Sequence, residues 1–327
     1  MKILKTVLAS LCITAFTLFT SCDTDDKFEN STTDPIVATA AAFKNIKLQA
    51  LENQTQYFQF DANDGNISLT SNNGVQININ TNCLTLNGNA TTGTIDLEYV
   101  ELFEKGNMLT TNKPTMGTLP NGDKALLISG GEFFIEATQN GQVLDTSCNI
   151  QLVVPSSLTG GADNAMTLWE GNIDLDDNLT WDENEDPTGQ DGVFVEGGEY
   201  YAFLGQFGWS NIDRFYNDPR PKTLIQAQAP LGYNFDNSAI YLSYDGEDTG
   251  LAQLDTYDEN LNLFSEHYGQ IPIGLECHVI FATEDNGVWR YAVKQVTIVD
   301  NHIITFNYNE TTTATEAQFI NIINALP

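Results

Sequence analysis

Short runs of alternating apolar and polar residues, separated by Gly, Asn and Asp, constrain this chain more than any other feature. Tyr57-Phe58-Gln59-Phe60, Val75-Gln76-Ile77-Asn78-Ile79, Thr94 to Val100, Phe133 to Ala137 and Ile150 to Val154 carry the pattern in the first half. Tyr200 to Leu204, Thr223 to Ala227, Ile240 to Tyr244 and Val288 to Val293 carry it in the second. Period-two alternation buries one face of a strand and wets the other. Many such runs with turn residues between them predict β-sandwiches. Asn140-Gly141 marks a tight hairpin, and Asp300-Asn301 a turn between Val296–Val299 and Ile303–Phe306. Helical signals are few. One short helix is expected around Ala40 to Phe43. Another is expected at the end, where Thr313-x-x-Glu316 has capping-box spacing and Phe319, Ile322, Ile323 and Leu326 form one stripe. The expected fold is mainly β, two β-sandwich-like domains in tandem with a short C-terminal helix. The expected boundaries are a leader over 1–21, a tether over 22–35 and a β-sandwich over 36–160. An acidic connecting segment over 161–191 and a second β-rich domain with the helix over 192–327 complete the division.

The N-terminus carries an address. Met1-Lys2-Ile3-Leu4-Lys5 is basic, Thr6 to Thr20 is apolar and uncharged, and Leu18-Phe19-Thr20-Ser21-Cys22 ends in small residues and a cysteine. These are the parts of a secretory signal. The apolar run is shorter than the roughly 20 residues a membrane span needs. The cysteine at the cut resembles the lipobox of bacterial lipoproteins, which implies lipidation of Cys22 and a membrane as partner through several acyl chains. An ordinary cleaved signal with an incidental cysteine is the alternative. Asp23, Asp25, Asp26 and Glu29 follow closely. They resemble the acidic export tag of Bacteroidota-type lipoproteins, which implies an outer-membrane lipoprotein exposed at the cell surface; in enteric-type bacteria an aspartate directly after the cysteine implies inner-membrane retention instead.

With 44 acidic and 13 basic residues the chain carries a formal charge of −31. Such an excess opposes nucleic acid, itself a polyanion. Cys12 leaves with the leader and Cys22 goes to lipid, so Cys83, Cys148 and Cys277 remain. An oxidising compartment permits a Cys83–Cys148 disulfide, and two separate buried thiols are the alternative. Cys277 shares an apolar strand face with Leu275, Val279 and Phe281, which suits a buried inert thiol.

Two segments are candidate sites. Asp182-x-Asn184-x-Asp186 mimics the start of a calcium-binding loop. Pro187 stands where the turn glycine belongs, however, and Val193 and Phe194 lie where the closing acid belongs, so a solvated acidic loop is the competing reading. The second segment, Trp209 to Lys222, follows a stretch from Ala125 to Asp213 that contains no Lys or Arg. It places Trp209, Asp213, Arg214, Arg220 and Lys222 near one another in sequence. Rings and guanidinium groups together can cradle an acidic or sugar ligand. The competing reading pairs Asp213 with Arg214 beside a buried Trp209.

From Gly74 to Trp181 the order of motifs resembles a ZU5-like β-sandwich found in surface lipoproteins of Bacteroidota type. Gly74–Ile79 matches its first strand unit and Gly93–Glu98 its Gly-Thr-Ile-Asp-Leu-Glu strand. Ser129–Ala137 matches its Ser-Gly-Gly-x-Phe-x-Ile-x-Ala strand, Gly141–Leu144 and a strand ending at Pro155 follow, and Met166–Gly171 matches Met-x-Leu-Trp-x-Gly. Gly208–Phe215 resembles a Gly-Trp-x-Asn-Cys-Asp-Arg-Phe segment of the same lipoproteins, with Ile212 where a cysteine is usual. The resemblance implies fold and address but no activity. The His-Phe-Ser turn at which some ZU5 domains cut themselves is absent.

Of function, the sequence supports two classes. The chain contains His267, His278 and His302 but no G-x-S-x-G, H-E-x-x-H or phosphate-binding loop. No catalytic residue is therefore assigned, and no cofactor beyond the calcium of the acidic loop. The first class is a non-enzymatic surface module that binds an envelope protein or a glycan. The second is a glycan hydrolase with paired carboxylates hidden among the solvating ones. A hydrolase needs a deep pocket with converging, perturbed carboxylates, whereas a module needs only a shallow aromatic surface.

Overall fold

Alternation in sequence becomes alternation in burial. In the computed structural model, strand Gln76–Asn80 buries Ile77 and Ile79 and turns Gln76, Asn78 and Asn80 outward. Strands Ile150–Pro155 and Glu199–Leu204 repeat the pattern. The structure describes residues 37–173, 179–186 and 188–327. The leader, Cys22, the tether, residues 174–178 and Pro187 lie outside the described residues.

Two sheets form the first sandwich. The larger runs in the order Gln56–Asp61, Thr94–Leu102, Lys124–Gln139, Gly208–Phe215, Thr167–Ile173, Leu179–Glu183 and Met116–Thr118, with Gln142–Val143 paired to Lys124–Gln139. The smaller runs Gly192–Glu196, Glu199–Leu204, Ile150–Pro155, Gln76–Asn80, Asn66–Thr70. Ile95, Tyr99, Phe133, Ile135 and Ile212 from the first share a core with Ile77, Leu152, Tyr200 and Ala202 from the second. A four-stranded sheet (Thr256–Asp258, Leu263–Pro272, Lys222–Gln228, His302–Thr305) and a five-stranded one (Ala252–Gln253, Ser238–Tyr244, Glu276–Asp285, Val288–Thr297, Thr312–Ala314) make the second half. Ile225 and Phe264 meet Leu242, Val279 and Phe281 in its interior. The chain is thus mainly β, with two β-sandwich-like halves and a short C-terminal helix, Glu316–Asn324. Residues 36–327 form one compact unit.

The expected boundaries do not follow the sheets. Glu199–Leu204 pairs with Ile150–Pro155, and Gly208–Phe215 with Lys124–Gln139, so the first sandwich reaches Phe215. Segment 161–191 is not a connector, because Thr167–Ile173 and Leu179–Glu183 are strands of the larger sheet. Periodicity identifies a strand without naming its partner. An acidic strand can still bury Leu179 and Trp181 while Asp182 and Glu183 face water.

Asn140 and Gly141 both take positive φ, as the tight hairpin requires. Asn301 does so too. The strand beyond it, His302–Thr305, crosses to the other sheet and pairs in parallel with Lys222–Gln228. The first helix is longer than expected, Ala40–Gln54, capped by the Thr39 hydroxyl on Ala42 N–H. The last helix is capped by Thr315 and Gln318, two residues beyond the expected box. An unexpected helix, Lys105–Thr110, joins these two over Val100, Leu102, Tyr241, Ile280 and Trp289. Among the described residues no helix is long and apolar enough to cross a membrane.

Cys83 and Cys148 are disulfide-bonded, with Cα atoms 5.7 Å apart. Cys277 is free and buried, and burial pushes its thiol up to about 12.

Candidate functional site

The outer face of the smaller sheet differs from the rest of this acidic protein. From Gly65 to Ile95 the sequence contains no Asp, Glu, Lys or Arg, and two strands of that stretch lie at one edge of the sheet. Cross-strand register sets its outward side chains in rows. Phe203, Gln151, Asn78 and Ser68 form one row across four strands. Phe194, Tyr201, Val153, Gln76 and Thr70 form the next. Asn66 and Asn80 begin a third.

The face is graded. Aromatic rings occupy one side, where Phe194 stands 58 % exposed and packs edge-on against Phe203 at 5.8 Å. Amides and hydroxyls occupy the other. Asn78 Nδ2 donates to Gln151 Oε1 (3.0 Å) and Ser68 Oγ to Gln76 Oε1 (3.2 Å). Each amide and hydroxyl can form several hydrogen bonds, so these contacts leave donor and acceptor capacity facing out. A groove of about 610 Å³ runs over Asn66, Ser68, Asn78, Asn80, Asn149, Gln151 and Phe203. Its charged neighbours are Asp191, which accepts from the groove residue Asn149 (2.9 Å), and Glu196 and Glu199 at the end of the Phe194 hairpin. Apolar rings beside uncharged, paired donors and acceptors suit a ligand with C–H faces and hydroxyl edges.

The structure does not gather the Trp209–Lys222 residues. Trp209 is half-buried, its ring 5.3 Å from Phe134, with Lys113 Nζ 5.3 Å from its centroid. Asp213 is fully buried. Arg214 Nε lies 2.6 Å from Asp163 Oδ2, so the expected Asp213–Arg214 pair does not form. Arg220 Nε lies 3.0 Å from Asp218 Oδ1, and that guanidinium holds the Asp218 carboxyl down at about 2. Lys222 Nζ donates to Gln270 Oε1 (3.2 Å). Strand alternation and separate partners send these five side chains in different directions.

The acidic loop residues also find separate partners. Asp182 accepts from Asn172 Nδ2 (2.8 Å), and Asn184 Nδ2 donates to Glu170 Oε1 (2.7 Å). Asp186 is capped by the Thr188 hydroxyl and by the N–H groups of Thr188, Gln190 and Asp191. These bonds hold its carboxyl well below the usual range. Among the described residues no group of three or more His, Cys, Asp or Glu is placed to share a metal ion.

Sequence reasoning missed the amide-and-ring face because outward Asn, Gln and Ser look like any wet strand face. The available signal was the uncharged run itself. The chain matches no protein-family model and no curated protein at a significant level.

Proposed function

We propose that this protein is a lipid-anchored, non-enzymatic module of the cell envelope, carrying a ZU5-like sandwich, that binds neutral glycan chains across the outer face of its smaller sheet. One observation carries the reading: an uncharged face of rings and amides in a chain of charge −31. Of the carboxylates held above their usual range, Glu132, Asp213 and Glu266 are too buried to meet a polymer, while Glu136 and Glu247 are raised and half-buried. The Cys83–Cys148 bond suits an exported protein.

The binding test is affinity electrophoresis through gels containing dextran, laminarin or mannan. The wild type is expected to be retarded by at least one of these. Phe203→Ala and Gln151→Ala should each weaken retention roughly tenfold, the loss of one stacking or paired hydrogen-bond contact. Molar salt should leave retention unchanged, because no charge is involved. Free migration of the wild type through all three gels would refute the glycan reading. The anchor has its own test. Cys22→Ala should release the protein from membranes and abolish labelling by a fatty-acid probe, and equal membrane association of both forms would sink that part.

A further inference from the structure

A β-bulge in the larger sheet gathers polar side chains where none is wetted. Asn211 pairs with Glu132 and Asp213 with Ser129, so one residue, Ile212, faces two, Gly130 and Gly131. The extra residue brings Ser129 onto the same face as Glu132, which plain alternation would forbid. Only glycine fits at Gly131, where φ is +129° and a Cβ would lie 2.6 Å from the Phe103 ring.

The hydrogen bonds of the cluster run one way. Gly131 N–H donates to Ser129 Oγ (2.9 Å), Ser129 Oγ to Asn211 Oδ1 (2.8 Å), and Asn211 Nδ2 to Asp213 Oδ2 (2.6 Å). Three acceptors remain. Both Glu132 oxygens and Asp213 Oδ1 are buried without a hydrogen-bond partner, in residues that are 0 % exposed. Trp169 Nε1 is taken by the Asp213 backbone carbonyl (3.0 Å). Lys113 Nζ lies toward Thr111 O (3.4 Å) and the Trp209 ring, near enough to ease the Glu132 charge. Burial pushes both carboxyls well above the usual range. The Asp213 charge adds to this for Glu132, while the bond from Asn211 opposes it for Asp213.

Isolated anions are costly in such a place, and so is each unmade hydrogen bond. One shared proton can bridge only two of the three oxygens. A hard cation held between the two carboxylates would give all three oxygens a partner. We propose that Glu132 and Asp213 form a buried site for a hard cation of the calcium class, with Asn211 and Ser129 as positioning residues that aim Asp213. The ion clamps strand Lys124–Gln139 to Gly208–Phe215 where the bulge interrupts their ladder, and it enters as the chain folds. The site lies in the other sheet from the glycan face and does not depend on it.

The test is refolding of the full-length protein in detergent from urea and chelator, with or without millimolar calcium chloride. With calcium, elemental analysis should find about one ion per chain, and Tm should rise by roughly 3 °C or more. Glu132→Gln and Asp213→Asn should each lose the ion and the shift, while folding to a Tm that ignores calcium. A wild type that refolds without bound metal to the same Tm in both media overturns the proposal and leaves the space to a proton. Retention of the ion by both variants overturns it as well, because the ion then sits elsewhere.

Discussion

Replacing Cys83 and Cys148 together by alanine is expected to lower the unfolding free energy by about 4 kcal/mol, the loop-closure entropy of a long cross-linked loop. The bond spans 65 positions. It joins the exit of strand Gln76–Asn80 to the entrance of Ile150–Pro155, two neighbours in the smaller sheet. Ser147 reinforces the junction, its N–H donating to Cys83 O at 3.0 Å. Denaturant titration of both forms measures the difference, and a loss below about 1 kcal/mol would contradict it. A parallel readout is alkylation without reductant. Of Cys83, Cys148 and Cys277, only Cys277 should label, and only after denaturation. Asn80 and Asn149 flank the bond and line the glycan groove, so the double variant should also hold glycan less tightly.

The second large effect is a pH dependence at Glu266. This carboxyl is buried in strand Leu263–Pro272, where burial pushes it up to about 7 despite N–H groups donated by Gln270 and Gly269. Asp255 and Asp123 face it and raise it further. Lys124 neutralises part of that charge by pairing with Asp255 at 2.8 Å, and Tyr268 donates to the same Asp255. The folded state therefore holds the Glu266 proton more tightly than the unfolded chain does. Its contribution is complete below the unfolded value near 4.5 and is lost as pH rises through about 7. The loss amounts to about 3 kcal/mol. Glu266→Gln mimics the protonated form, so its stability should lack this decline. Urea midpoints at pH 5 and pH 8 compare the two, and parallel curves would show that Glu266 titrates normally.

The strands were legible because alternation is a local property. The pairings were not, because Glu199–Leu204 reads the same whether it joins the strand before it or the one after it. Lys105–Thr110 was hidden for another reason. It is a six-residue helix with no room for a periodic stripe, and it exists because Met108 and Leu109 have a cluster to enter. Sites fared worse than strands. Among 44 acidic residues nothing in the order of letters distinguishes a buried Glu132 from a solvated one. The nearest signal was Gly130-Gly131 inside a strand pattern, a mark of a bulge. Trp209, Arg214 and Arg220 lie close in sequence but not in space, because strand alternation and separate partners part their side chains.

The first helix has consequences for the order in which the molecule assembles. Phe43 packs 6.3 Å from Trp289, and Asn53 Nδ2 reaches Glu316 Oε2 across 263 positions. Lys105 and Gly106 similarly reach the backbone of Leu326 and the side chain of Asn324. A ribosome, or an export channel, delivers Ala40–Gln54 long before any of these partners. A helix of 15 residues is marginal alone in water, and closing so long a loop is entropically late. The strands of the first sandwich can pair while the chain is still emerging, but the helical layer over Val100 and Leu102 stays open until the last segment arrives. Until then Phe43, Met108 and Leu109 remain wet, and the growing chain offers chaperones and proteases an apolar surface that the finished protein hides.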